Sequence, residues 1–137
     1  MQYRPENKAI LQAIQDLLMK EIIPKIATDD LLSYKTLVSW NMLGVMIREI
    51  EKEAEFLNDE FNSLRSLNFL QEDLKKNMDE FKSMTLIEKT LFLQSLNHTF
   101  AKAIRSSKDA NTKSEVWSHI KATLKNNLQI SNPRFTP

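Results

Sequence analysis

Apolar residues recur at helical spacing along almost the whole chain, and polar punctuation divides them into about five segments. The first helix is predicted over residues 5–23. Ile10, Ile14, Leu17, Leu18 and Ile22 form its apolar stripe, with Gln12, Gln15, Asp16 and Lys20 on the other side. Pro5 suits a first helical position, where the missing N–H would be unpaired anyway. Pro24 disfavours helical geometry at Ile23, so the helix is expected to end or kink there. Thr28, Asp29 and Asp30 are N-cap residue types and open the second helix, which is predicted to run to about Ala54. At about 100° per residue, Leu32, Thr36, Trp40, Leu43, Ile47, Ile50 and Ala54 fall on one stripe. Tyr34, Leu37, Asn41, Gly44, Val45 and Arg48 fall on a second, roughly opposite. Two non-solvent faces suggest a helix central to its bundle.

Residues 55–82 keep a helical period through Leu57, Phe61, Leu64, Leu67, Leu74, Met78 and Phe81, without Gly or Pro. One long helix and two helices broken near Asn68 both fit. Glu60 and Gln71 occupy apolar positions of any heptad frame, which favours bundle packing over a coiled coil. Thr85-x-x-Glu88 is a capping-box pattern and opens the next helix. Its predicted inner face carries Leu86, Thr90, Leu93, Asn97, Phe100 and Ile104, with Phe92 and Leu96 beside it. A polar loop is expected over residues 106–113. Thr112-x-x-Glu115, with Ser114 as a competing cap, starts the last helix. Trp117, Ile120, Leu124 and Leu128 make its expected buried stripe, and Pro133 should stop it by about Ser131.

Composition agrees with this pattern. One glycine and four prolines among 137 residues leave too few turn formers for a β-rich fold. The expected fold is all-α: a single-domain antiparallel bundle of about five helices over residues 1–137. Nineteen basic and 18 acidic side chains give a net charge of +1, with no basic run that would serve as a nucleic-acid footprint. No segment approaches the length and apolarity of a membrane span or a signal sequence. A cytoplasmic protein is the expectation.

Several kinds of chemistry are excluded. Without cysteine there is no disulfide, thiolate or cysteine zinc site. A single glycine cannot build a Walker loop, a dinucleotide fingerprint or a nucleophile elbow. Neither His98 nor His119 follows a glutamate by three residues, as a di-iron helix pair requires. Glu115 and His119 could share a helix face, which reads as a surface ion pair. No cofactor, metal or catalytic set is therefore expected, and a non-catalytic protein is favoured over an enzyme. Met42 and Met46 lie one turn apart. Core filling is the favoured role for the methionines, and an adaptable interaction surface is the alternative.

The polar residues of the second helix remain to be explained. Asn41, Gly44 and Arg48 are spaced by three and four residues and stack along one face. Glycine inside a helix costs about 1 kcal/mol relative to alanine, so a helix or a ligand is expected to approach the bare backbone there. Arg48 on a mostly buried face needs an acceptor, either a carboxylate or a helix C-terminal carbonyl. Asn97 is a candidate for the same network. Two readings follow: a polar network that fixes helix register, and a polar pocket or interface suited to a carboxylate or phosphate.

WNMLGVMIREIE in the second helix, Leu96-Asn97 with Ile104-Arg105, and the tail KNNLQISNPRF occur in this order after RPENKAILQAIQDLLMKEIIP. Together they resemble a bacterial family of unknown function, encoded near aminoglycoside-phosphotransferase-like kinases and acyl-CoA dehydrogenases. The resemblance spans most of the chain and departs from the family pattern over residues 58–82. It points to Asn41, Arg48, Glu49, Asn97, Asn132, Pro133 and Arg134. It implies an accessory or interaction protein that works beside a kinase-like or acyl-CoA dehydrogenase-like enzyme, with a homodimer as another candidate assembly. A small-ligand-binding bundle for an anionic acyl or phosphorylated compound is the alternative.

Overall fold

The computed structural model describes residues 4–67, 78–106 and 114–135, and among them the chain is all-α with no strand. Helix α1 (Asn7–Leu17) continues through a π-helical turn (Leu18–Ile22) into α2 (Ile23–Lys25). The following helices are α3 (Asp30–Arg65), α4 (Met78–Ser83), α5 (Leu86–Ser106) and α6 (Ser114–Ser131). A 3₁₀ turn (Pro133–Phe135) closes the described chain.

The first helix starts later than predicted. Glu6 is its N-cap, so Pro5 lies outside the helix. Pro24 does not end it either. Ile23 keeps helical angles, φ −52° and ψ −45°. The adjustment comes one turn earlier, where Leu18–Ile22 widens to π geometry. In a regular helix the proline ring would press on the carbonyl four residues before it, and the wider turn relieves that clash. Asp29 caps α3 through its Oδ1, which accepts the Leu32 N–H at 2.9 Å. Ser33 Oγ donates to the Ile26 carbonyl at 2.8 Å, which ties the end of α2 to the start of α3. Helix α3 runs past Ala54 to Arg65, so the predicted second helix absorbs much of the third. Asn68 and Leu74 lie outside the described residues, as do Thr112 and most of the expected 106–113 loop.

The chain forms two compact units. One comprises Met1–Lys52 with Gln129–Phe135, and the other Glu53–Leu128 with Thr136–Pro137. The second unit holds the continuous core. Phe61, Leu64, Phe81, Leu93, Leu96, Phe100 and Val116 are buried together there. Phe61 and Phe81 stack with centroids 4.1 Å apart and planes at 4°, and Phe92 tilts against both. The capping box of α5 is formed: Thr85 N–H donates to Glu88 Oε2 at 2.7 Å, and Glu88 N–H donates to Thr85 Oγ1 at 3.3 Å.

Helix α6 buries a different face from the predicted one. Val116 and His119 are the buried residues, while Trp117, Ile120 and Leu124 are exposed. His119 Nδ1 lies 2.8 Å from Ser63 Oγ, and its ring meets Phe100 edge-on at 5.2 Å. A histidine with a hydroxyl partner and an aromatic edge thus takes the place expected for tryptophan.

The first unit is built differently. Its α1 half-buries Leu11 and Gln15, and the π turn Leu18 and Ile22, while Ile10, Ile14 and Leu17 stay exposed. On α3, Thr36 and Ile47 of the first predicted stripe are buried, as is Gly44 of the second, but Leu32 and Ile50 of the first are exposed. Met42 and Met46 are exposed too, so these two do not fill a core.

Candidate functional site

Gly44 makes room for two polar side chains. Gln15, reaching across from α1, donates its Nε2 to the Trp40 carbonyl at 2.8 Å. A Cβ built on Gly44 would stand 3.0 Å from that nitrogen and 3.1 Å from Nη1 of Arg48. No glycine has a positive φ, so close approach, not backbone conformation, explains this one. Sequence patterning misses Gln15, which it places on the outer side of α1. The signal is its register with Leu11, Leu18 and Ile22.

Arg48 runs back over the glycine toward the last turn of α6. Its Nε donates to the Ile130 carbonyl at 2.7 Å. That carbonyl belongs to the end of α6, where no intrahelical donor is left for it. Lys52 Nζ donates to Gln129 Oε1 at 3.0 Å and holds the same turn. An ion pair between Lys8 and Glu51 joins α1 to α3. The hydrogen bond from Lys8 and its positive charge hold the Glu51 carboxyl below its ordinary value.

Nη2 of Arg48 is sealed from solvent and has no hydrogen-bonding partner among the described residues. Arg48 also lines a cavity of about 500 Å³. Leu37, Val38, Trp40 and Pro133 supply apolar wall, and Asn41, Arg48, Ser131, Asn132 and Arg134 supply polar groups. The volume falls within the range of small-molecule sites. Five of the predicted residues, Asn41, Arg48, Asn132, Pro133 and Arg134, therefore meet at one groove. Gly44 lies behind it as the seat for the Arg48 guanidinium. Glu49 is exposed and does not line the groove. Asn97 is not part of this group: it belongs to the other unit, where its amide donates to Glu60 Oε1 at 2.6 Å.

The sequence model of one family, the domain of unknown function DUF6285, matches residues 26–135. The chain belongs to this family. The DUF6285 match takes in every groove residue, whereas Gln15 precedes it. No curated protein and no solved structure matches the chain.

Among the described residues, no three His, Asp or Glu side chains come together as a metal site would need, and no helix is long and apolar enough to cross a membrane. The groove is thus lined by one guanidinium from α3, two asparagines, a second arginine and an indole.

Proposed function

We propose that this member of the DUF6285 family is a non-catalytic binding module whose groove receives the anionic end of a small acyl or phosphorylated compound. The unpartnered Nη2 of Arg48 carries this reading. A buried cationic donor without an acceptor is costly, and an acceptor supplied by a ligand is worth about 1.5–3 kcal/mol. A carboxylate or phosphate oxygen entering beside Asn41 gives that nitrogen its missing partner once the guanidinium turns it toward the groove, and Arg134 adds a second positive charge. The apolar part of the ligand lies along Leu37, Val38 and Trp40. An enzyme partner, kinase-like or acyl-CoA dehydrogenase-like, is a second reading. It is supported by the large apolar side chains that the first unit leaves exposed.

Isothermal titration with short- and medium-chain carboxylates and acyl phosphates tests the first reading. Binding should be saturable, and Arg48→Lys should weaken it by about tenfold to a hundredfold. Unchanged binding by the Arg48→Lys and Arg134→Ala proteins would remove the groove from the explanation.

A further inference from the structure

Helix α3 has a second apolar face that no described residue of its own unit covers. Thr36, Gly44 and Ile47 mark the buried side, on which Gln15 of α1 reaches the Trp40 carbonyl. Opposite it, Leu31 is 64% exposed, Val38 39%, Met42 62% and Met46 48%. These positions form one continuous strip at helical spacing. A helix that is apolar on opposite sides belongs between two neighbours, and among the described residues of this unit α1 and the end of α6 both leave this strip uncovered.

The charges on the strip say which neighbour fits. Lys35, Met42 and Glu49 recur at intervals of seven residues, so they share one edge of the strip, and all three are exposed. Leu31, Val38 and Val45 repeat with the same interval along the other edge. A seven-residue repeat keeps a seam facing a second helix. Lys35 stands about 10 Å before Met42 along the axis, and Glu49 about 10 Å after it. A two-fold axis at Met42 therefore sets Lys35 of one copy opposite Glu49 of the other, twice, and Val38 opposite Met46, twice. A parallel pairing in register would instead set lysine on lysine and glutamate on glutamate, which is repulsive.

We infer that α3 pairs antiparallel with α3 of a second copy of this chain, about a two-fold axis at Met42. The strip is self-complementary in charge, as the interface of a two-fold dimer must be. Methionine at the axis can meet its own copy because its unbranched side chain adapts to the space available. The charged pair and the axis lie outside the groove, since Lys35, Met42 and Glu49 do not line it, and only Val38 borders both.

Sedimentation equilibrium of the full chain, from micromolar to millimolar concentration, tests the pairing. A monomer–dimer equilibrium is expected. Lys35→Glu and Glu49→Lys should each weaken it by about tenfold or more, because each sets like charges opposite one another. The double variant K35E/E49K should return to within a few-fold of the original. Met42→Glu should weaken it as well, and circular dichroism shows whether that protein is folded. The charge cycle decides without it, since both charged residues are exposed. A chain that stays monomeric throughout overturns the inference. So does a dimer indifferent to Lys35→Glu, or a double variant no tighter than the single ones.

Discussion

Gln15 Nε2 and Arg48 Nη1 both lie about 3 Å from the place where a Cβ on Gly44 would stand. The glycine thus trades helix propensity for two polar side chains packed on a bare backbone. Gly44→Ala regains about 1 kcal/mol of propensity. It also presses on the ends of two flexible side chains and strains the Gln15–Trp40 bond, worth about 0.5–1.5 kcal/mol. The net change in stability should stay within about 1 kcal/mol of zero. In a Gln15→Ala background one contact is gone, and the same substitution should become stabilising. Urea denaturation of the four proteins measures this coupling, and an unchanged effect of Gly44→Ala would separate the two positions.

The Arg48–Ile130 bond holds the end of α6 against α3 within the first unit. Arg48→Met keeps the apolar stem and removes the donor. The lost charge-assisted bond costs about 1.5–3 kcal/mol, partly offset because the unpartnered Nη2 is removed as well. The global loss should therefore be about 1 kcal/mol, with a larger local effect. Amide hydrogen exchange should show the Ser131 and Asn132 amides losing protection while those of α5 keep theirs. Equal loss at both places would mean that Arg48 supports the whole fold and not the tail.

The groove was partly legible in the sequence and partly not. Spacing placed Asn41, Gly44 and Arg48 on one face, and the need of a buried arginine for an acceptor pointed to either a carboxylate or a helix end. What periodicity could not give was the partner. The Ile130 carbonyl is 82 residues from Arg48, and backbone groups leave no trace in a hydropathy pattern. Gln15 escaped because a polar side chain at an inward position looks the same as one at an outward position until its acceptor is known. Asn97 was grouped with Arg48 on polarity alone, and its nearer match was Glu60 on α3. In the fold, long helices were readable from composition and period. The extent of α3 was not, because nothing local distinguishes residue 54 from residue 65.

His119 gives the second unit a pH response of known sign. Burial lowers its pKa from the ordinary 6.5, and the negative charge of Glu60 opposes that only in part. The unfolded chain therefore binds a proton at a higher pH than the folded chain does. This contribution to stability is fully present above about 6.5. It falls away as the pH drops from there toward the lowered folded value. Urea midpoints measured between neutral and mildly acidic pH should decline, and His119→Gln should flatten that part of the slope. An equal slope in both proteins would assign it to carboxylates.

The capping box makes the start of α5 a separate test of local order. Thr85 and Glu88 satisfy each other's backbone N–H groups, and Thr85 Oγ1 also lies 2.8 Å from Glu88 Oε2. Thr85→Ala should cost about 1 kcal/mol. Thr85→Ser keeps the hydroxyl and should cost less than half as much. Thermal melts of the two proteins distinguish these outcomes, and equal losses would point to the lost methyl group instead of the cap.

The face that α6 buries can be checked by reversing the expectation from side-chain size. Val116 is 2% exposed within the aromatic core, whereas Leu124, the larger residue, is 57% exposed. Truncating a buried side chain costs its transfer free energy and leaves a cavity, while truncating an exposed one costs little of either. Val116→Ala should therefore destabilise by about 1–2 kcal/mol, and Leu124→Ala by under about 0.5 kcal/mol. If the sequence pattern were right and Leu124 faced the core, the order would invert, with Leu124→Ala costing about 2–5 kcal/mol. Chemical denaturation of the two single variants decides between these faces. The outcome also bears on Trp117 and Ile120, which share the outward side of α6 with Leu124.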